Sequence, residues 1–416
     1  MTKIRTEAFD VMQNFYRAVH DPLIRCTMHF SGRVKPDILA RAVNLSIPAV
    51  PQIVCGFSEK SHGWVPGGFT ADDMIHIVQG GEDAMKKLQL TPLDFEHGPQ
   101  LGLFLAQGEQ DDALCVTISH LVADGAGLKQ YLYLLAELYS RCEADSGYHT
   151  PAQPGDRSLG QLLRGYRFGE RMKILSAEVK GLKQDPSMYP PLRGDRNRPF
   201  LVRTVLEAPA FSSVVSYGEQ RGASVNDMLM TAFARAMAHW TGNSRVAFPC
   251  PVDIRKYLRE PERCGVCNLT SNYICGAEIR PGEPFEETLR GISAQMKAQK
   301  GSTACLKGPA LLRPLSRVLP YSVFHSLFSK VFTIPVVSYT NIGVLDEKRL
   351  AFGTAELNDA FLSTAVKYAP YFQLSVSTWR GTCSLCSSFH GTPEDESAVA
   401  SFLEEVRGEL LSAACE

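Results

Sequence analysis

The sequence predicts an α/β protein of two domains with mixed sheets. Three observations carry this expectation. At 416 residues the chain is longer than one compact core comfortably holds. A strand followed by a helix opens each half, and a Pro- and Arg-rich break, "DPSMYPPLRGDRNRPF" over 185–200, separates the halves. One domain is therefore expected over 1–190 and a second over 195–416.

In the first half, a strand over 24–30 leads to a helix opened by Pro36 and Asp37, with Ile38, Leu39, Ala42 and Val43 on one stripe. "VPQIVCGF" and "GWVPGG" read as a strand and a turn-rich return. "LDFEHGPQLGLFLAQGEQDDALCVTIS" reads as two strands joined through a polar tip at 108–112. Leu114, Val116 and Ile118 alternate with smaller or polar residues, which predicts a strand with one buried face and His120 at its carboxyl end. Leu128, Leu132, Leu135 and Leu138 then recur at helical spacing, so a helix starts soon after Asp124. A surface connection over 144–158 precedes a helical stretch over 158–183.

The second half restarts with a strand over 201–206 and a helix over 224–240, where Ser224 and Asp227 form a capping box. "RVAFPCPVDIR" and "NLTSNYICGAEI" are further strands. The most apolar part, 311–339, carries Arg and Lys at intervals and three prolines. It reads either as a half-exposed amphipathic segment bordering an apolar pocket or as packed core helix. "VVSYTNIGVL" and "FQLSVSTWRGTCSLCSSF" are the last clear strands, and a final helix opens at Thr392 and Pro393.

Composition excludes several classes of function. Hydrophobic content of 44% with 21% charged residues is that of a folded globular chain. A net charge of −1 supplies no global basic field for nucleic acid. Neither a signal-peptide core nor an uncharged apolar run of about eighteen residues is present, which predicts a soluble, cytoplasmic protein without a transmembrane segment. The twelve cysteines are then expected as reduced thiols. Cys264/Cys267 and Cys383/Cys386 have CxxC spacing, but the second pair lies in a strand, where residues three apart face opposite ways, and no metal is expected.

His120 and Asp124 are the chemical question. Four apart on a helix they would suggest a metal pair, but the strand before them and Gly125 and Gly127 after them place both in a strand-to-helix turn. Two readings stay open from these residues. One is a hydrogen-bonded histidine at a strand end with Asp124 as a helix N-cap. The other is a neutral imidazole able to take a proton from a hydroxyl or amine.

"SHLVADGAG" resembles the HxxxDG motif of the superfamily that contains chloramphenicol acetyltransferase, carnitine and plant BAHD acyltransferases, alcohol acetyltransferases, wax ester synthases and condensation domains. The likeness continues through "FSGRVKPDILARAV", "LDFEHGPQLGLFLA", "LYLLAELY", "GASVNDMLMTAFARAM", "CPVDIRKYL" and "VVSYTNIGVL", nearly the whole chain. It implies two chloramphenicol-acetyltransferase-like domains, with mixed sheets flanked by helices and a channel between them that has His120 at its middle. It further implies an acyltransferase in which His120 is the general base, Asp124 is structural and paired with Arg255, and Gly125 allows a close turn. Ser338, Thr340 and Asn341 are the candidates for stabilising the oxyanion.

Acyl-CoA, or an acyl carrier protein thioester, would be a co-substrate rather than a bound cofactor. The acceptor would be a small molecule bearing a hydroxyl or amine, and the protein a monomer. Ser119 stands where condensation domains and wax ester synthases usually show a second histidine, which favours alcohol-type acyltransferases. The DFGWG signature of the plant BAHD branch is absent, and Cys267 precedes Asn268 where glycine is more usual. The alternatives are a freestanding condensation-type enzyme with a carrier-bound donor, and a non-catalytic scaffold of the same fold.

Overall fold

The computed structural model describes residues 4–60, 63–178, 184, 188–331 and 334–415. The first half is organised around a five-stranded sheet. Its order is Glu356–Ser363, Leu23–Ser31, Asp111–Ser119, Leu101–Gln107, Ile75–Gln79, antiparallel except for the last pair. Asp111–Ser119 therefore has a strand on either side.

The strand is buried on both faces, not on one as its alternation suggested. Leu114, Val116 and Ile118 join the main core of this half, together with Leu128, Leu132 and Leu135 of helix Gly125–Ala144. On the opposite face Ala113 and Cys115 pack with Met85 of helix Gly81–Leu88. Small residues opposite large ones mimic a half-polar pattern, although a helix covers both sides.

The second half has its own five-stranded mixed sheet. Thr382–His390 lies between Phe372–Trp379 and Pro199–Leu206, antiparallel to both. Val337–Leu345 adds to Phe372–Trp379 in parallel. Helices Val225–Thr241 and Pro393–Cys415 contribute Phe233 and Phe402, whose rings meet edge to face at 5.9 Å. A separate antiparallel ribbon pairs Arg245–Asp253 with Thr270–Glu278.

One strand ignores the sequence divide. Glu356–Ser363 lies in the 195–416 part of the chain yet completes the sheet of the first half, with Ala360 opposite Met28. Just beyond it the chain returns along Val19–Asp21: Tyr368 N–H donates to Val19 O at 3.0 Å, and Asp21 N–H to Val366 O at 3.1 Å.

Two helical expectations change. The stretch over 158–183 is broken into Gln161–Arg164 and Phe168–Ser176, with Gly165 between them, and 179–183 lie outside the described residues. The apolar stretch over 311–339 splits at Pro320 into Lys307–Val318 and Tyr321–Val331: Leu319, the residue before the proline, is extended, as a following proline ring favours, whereas Pro314 is accommodated inside the first helix. "VPQIVCGF" begins as a 3-10 turn, Pro51–Val54, and only Cys55–Ser58 is strand.

Candidate active site

Ser119 ends the motif strand, and its N–H donates to Gln100 O at 2.8 Å. The next residue leaves the sheet: His120 N–H donates to Pro22 O at 2.7 Å. From the other half, Asn268 Nδ2 donates to the carbonyls of His120 at 3.0 Å and Leu121 at 3.1 Å. The backbone at His120 is thus held from both halves of the chain. The ring's Nδ1 is buried without a hydrogen-bond partner, and no bond occupies Nε2 among the described residues. Burial pushes the imidazole below 6.5, while its own carbonyl and Asp124 oppose that shift. That shift favours the neutral ring, which keeps a lone pair for a proton.

Asp124 is the N-cap of helix Gly125–Ala144, and its Oδ1 accepts from Gly127 N at 2.8 Å. It also accepts from Arg255 at 3.0 and 3.1 Å, Leu269 N at 2.6 Å and Thr270 Oγ1 at 2.8 Å. Burial alone would raise this carboxyl, but Arg255 and the hydrogen bonds outweigh it and hold it below 3.8. Arg255, on a 3-10 turn after strand Arg245–Asp253, also donates to Cys267 O at 2.7 Å. Both readings of Asp124 therefore apply: it caps a helix and pairs with the arginine. It makes no hydrogen bond to the His120 ring.

Gly125 takes no left-handed backbone angle. A Cβ there would lie 3.2 Å from Ile342 Cγ2, so its smallness accommodates a neighbouring strand rather than a tight turn. Gly127 is more constrained, because a Cβ would fall 2.7 Å from the Cys267 carbonyl oxygen.

The structure brings His120, Asp124, Gly125 and Arg255 together. Ser338, Thr340 and Asn341 lie on strand Val337–Leu345, and none bonds to His120 among the described residues. Ser338 Oγ donates to Phe372 O at 3.2 Å, and Asn341 Nδ2 to Asn226 Oδ1 at 3.2 Å. The polar groups of these two are already engaged within the second half.

Sequence reasoning missed five participants. Asn268 and Asp10 form one pair, 3.1 Å apart, and Arg157 reaches Asp10 at 3.3 Å and Val122 O at 2.9 Å. His20 and Lys367 form the other: Nζ donates to Nδ1 at 2.7 Å, with the residues 6% and 8% exposed. Burial pushes Lys367 down to about 7; burial also lowers His20 and His120, and the Lys367 charge adds to that lowering in both. Partners so far apart in sequence leave no local signal; only the unusual Lys in an apolar run, "STAVKYAP", was visible.

The CxxC spacing at Cys264 and Cys267 does bring two sulfurs within 3.8 Å. Among the described residues no three His, Cys, Asp or Glu gather as a metal site. A cavity of about 880 Å³, lined in part by Val50, Gln130, Arg259, Cys264 and Val266, opens beside the Asn268 loop. His120 is not on its wall.

Solved structures with the same fold are known. Polyketide synthase associated protein 5 of Mycobacterium tuberculosis superposes with a TM-score of 0.67 at 20% identity, covering 100% of this chain and 98% of that one. The first condensation domain of the CDA synthetase gives 0.69 at 15%, covering 100% and 97%. The chain has the condensation-domain and acetyltransferase fold. The trichothecene 15-O-acetyltransferase of Fusarium sporotrichioides agrees, at 0.70 and 12% identity over 99% and 95%.

This two-lobed mixed α/β fold is the one the motif resemblance implied. No family model matches the sequence. Among curated proteins, a subunit of the linear gramicidin synthase of Brevibacillus parabrevis is 24% identical over 249 residues, 55% of this chain. Surfactin synthase subunit 1 of Bacillus subtilis (strain 168) is 27% identical over 183 residues, 40% of it. The matches span 3% and 5% of those long proteins. Among the described residues no helix is long and apolar enough to cross a membrane.

Proposed function

We propose that the protein transfers an acyl group from a thioester to a hydroxyl or amine, with His120 as general base. The observation that carries this reading is the half-buried His120 just past the end of the motif strand, its Nδ1 buried, its backbone clamped by Pro22 and Asn268 and its Nε2 unoccupied among the described residues.

Nε2 takes the acceptor's proton as the oxygen or nitrogen attacks the thioester carbonyl. The tetrahedral adduct then collapses, the C–S bond breaks, and the proton passes from Nε2 to the departing thiolate. Asp124 and Arg255 hold the turn that presents the ring and exchange no proton. Thr340 is proposed as the oxyanion donor among the three candidates, because Ser338 and Asn341 already donate elsewhere.

Two donors fit. The acetyltransferase neighbour supports acyl-CoA, whereas the two synthase relatives support a carrier-bound thioester. Purified protein is given acetyl-CoA or an acylated carrier protein with a panel of alcohols and amines, and free thiol is measured. Release from one donor, lost roughly a hundredfold or more in His120→Ala, is expected. Equal release by wild type and His120→Ala would instead favour a non-catalytic scaffold.

A further inference from the structure

Helices Phe168–Ser176, Lys307–Val318 and Tyr321–Val331 carry seven of the eleven large apolar side chains that remain exposed among the described residues. The exposed residues are not scattered. Phe168 and Met172 are four apart, Leu311, Leu315 and Val318 follow one stripe of their helix, and Val323 and Leu327 are again four apart. Each helix is also anchored inward, through Ile174, Pro309 and Phe324 with Phe328. The outward stripes are therefore second apolar faces, with the core-facing side already satisfied.

Charge on these helices departs from the rest of the chain. They hold six Lys and Arg residues and one carboxylate, Glu170, in a protein whose net charge is −1. Arg171, Lys173 and Lys330 are exposed and make no ion pair among the described residues. Apolar stripes flanked by unpaired cations match a surface that is greasy below and anionic above. Phe168 and Val318, each 80% exposed, project as wedges at the ends of their stripes. Such wedges enter fluid hydrocarbon without needing a preformed pocket, while the Lys and Arg stems reach up to the headgroups.

We propose that these three helices dock the protein on an anionic lipid bilayer. The inference is independent of the acyl-transfer reading, since nothing in it involves His120.

The test is co-sedimentation of the full chain with vesicles of phosphatidylcholine alone and of equal parts phosphatidylcholine and phosphatidylglycerol, at low and high salt. Binding to the mixed vesicles, weakened by salt, is expected. The variant Phe168→Ser/Val318→Ser/Leu327→Ser should lose at least roughly tenfold in partitioning. Lys173→Glu/Lys330→Glu should lose roughly fivefold or more per cation. Ile77→Ser, exposed on another element, should bind as wild type. Unchanged thermal melting establishes that the variants fold.

The proposal is overturned if mixed vesicles are not bound, or if the triple variant binds them equally well. It is also overturned if wild-type protein proves to be a dimer that the triple variant dissolves. Binding of an acidic carrier protein through the same stripes, without vesicle binding, would assign the surface to a protein partner instead.

Discussion

Replacing Asp124 by Asn keeps the side chain's shape and removes its charge, leaving a set of buried donors short of acceptors. The carboxylate accepts five hydrogen bonds, from Gly127 N, Leu269 N, Thr270 Oγ1 and both terminal nitrogens of Arg255. An amide offers one accepting oxygen. If that oxygen faces Leu269 and Thr270, its NH2 opposes the Gly127 N–H and an Arg255 nitrogen; the flipped amide opposes the other three donors.

Either way a guanidinium 8% exposed loses its compensating charge. Breaking a buried pair this way costs about 3–5 kcal/mol. At about 1–2 °C per kcal/mol for a single folding unit of this length, the melting temperature should fall by roughly 3–10 °C. Differential scanning calorimetry reads this directly, and the double variant Asp124→Asn/Arg255→Leu should be less damaged than the sum of the singles. The wild-type contribution is fully present above pH 3.8, the unfolded value, and is lost as pH falls through the lower folded value. A variant that melts like wild type but has lost turnover would refute the structural role.

Three further predictions concern the same site. In Lys367→Met the nearby positive charge is gone, so His120 should titrate higher, and the acid limb of kcat/KM should move to higher pH; an unmoved limb would sever that coupling. Gly127→Ala puts a methyl 2.7 Å from the Cys267 carbonyl oxygen, and the motif helix must shift; a melting temperature lower by roughly 1–6 °C is expected, on a cost of about 1–3 kcal/mol. Asn268→Ala removes the donor to the His120 and Leu121 carbonyls and to Asp10, so turnover should drop even where circular dichroism shows the fold retained.

The motif turn was legible because its parts are local. An apolar strand, a polar turn with two glycines and a leucine stripe fall within about thirty residues, and their order excludes a helix through His120 and Asp124. The Arg255 pairing came only through resemblance, since nothing in "PVDIR" itself points to a carboxylate far upstream. The pairings of Asn268, Asp10, Arg157, His20 and Lys367 were invisible for the same physical reason: their partners lie far apart in sequence and meet only in the folded chain. The second buried face of Asp111–Ser119 was hidden differently. Ala113 and Cys115 are small enough to look indifferent to burial, yet a helix rests on them.

The strand Glu356–Ser363 forms the edge of the first half's sheet, although it comes from late in the chain. A fragment cut after residue 190 would therefore leave Leu23–Ser31 with a bare row of amide and carbonyl groups beside an apolar face. Such a fragment should stick to copies of itself, and supplying the missing segment as a peptide should rescue it. The loan of one strand makes the two halves a single unit of folding and inheritance, one that gene fusion or splitting cannot easily divide.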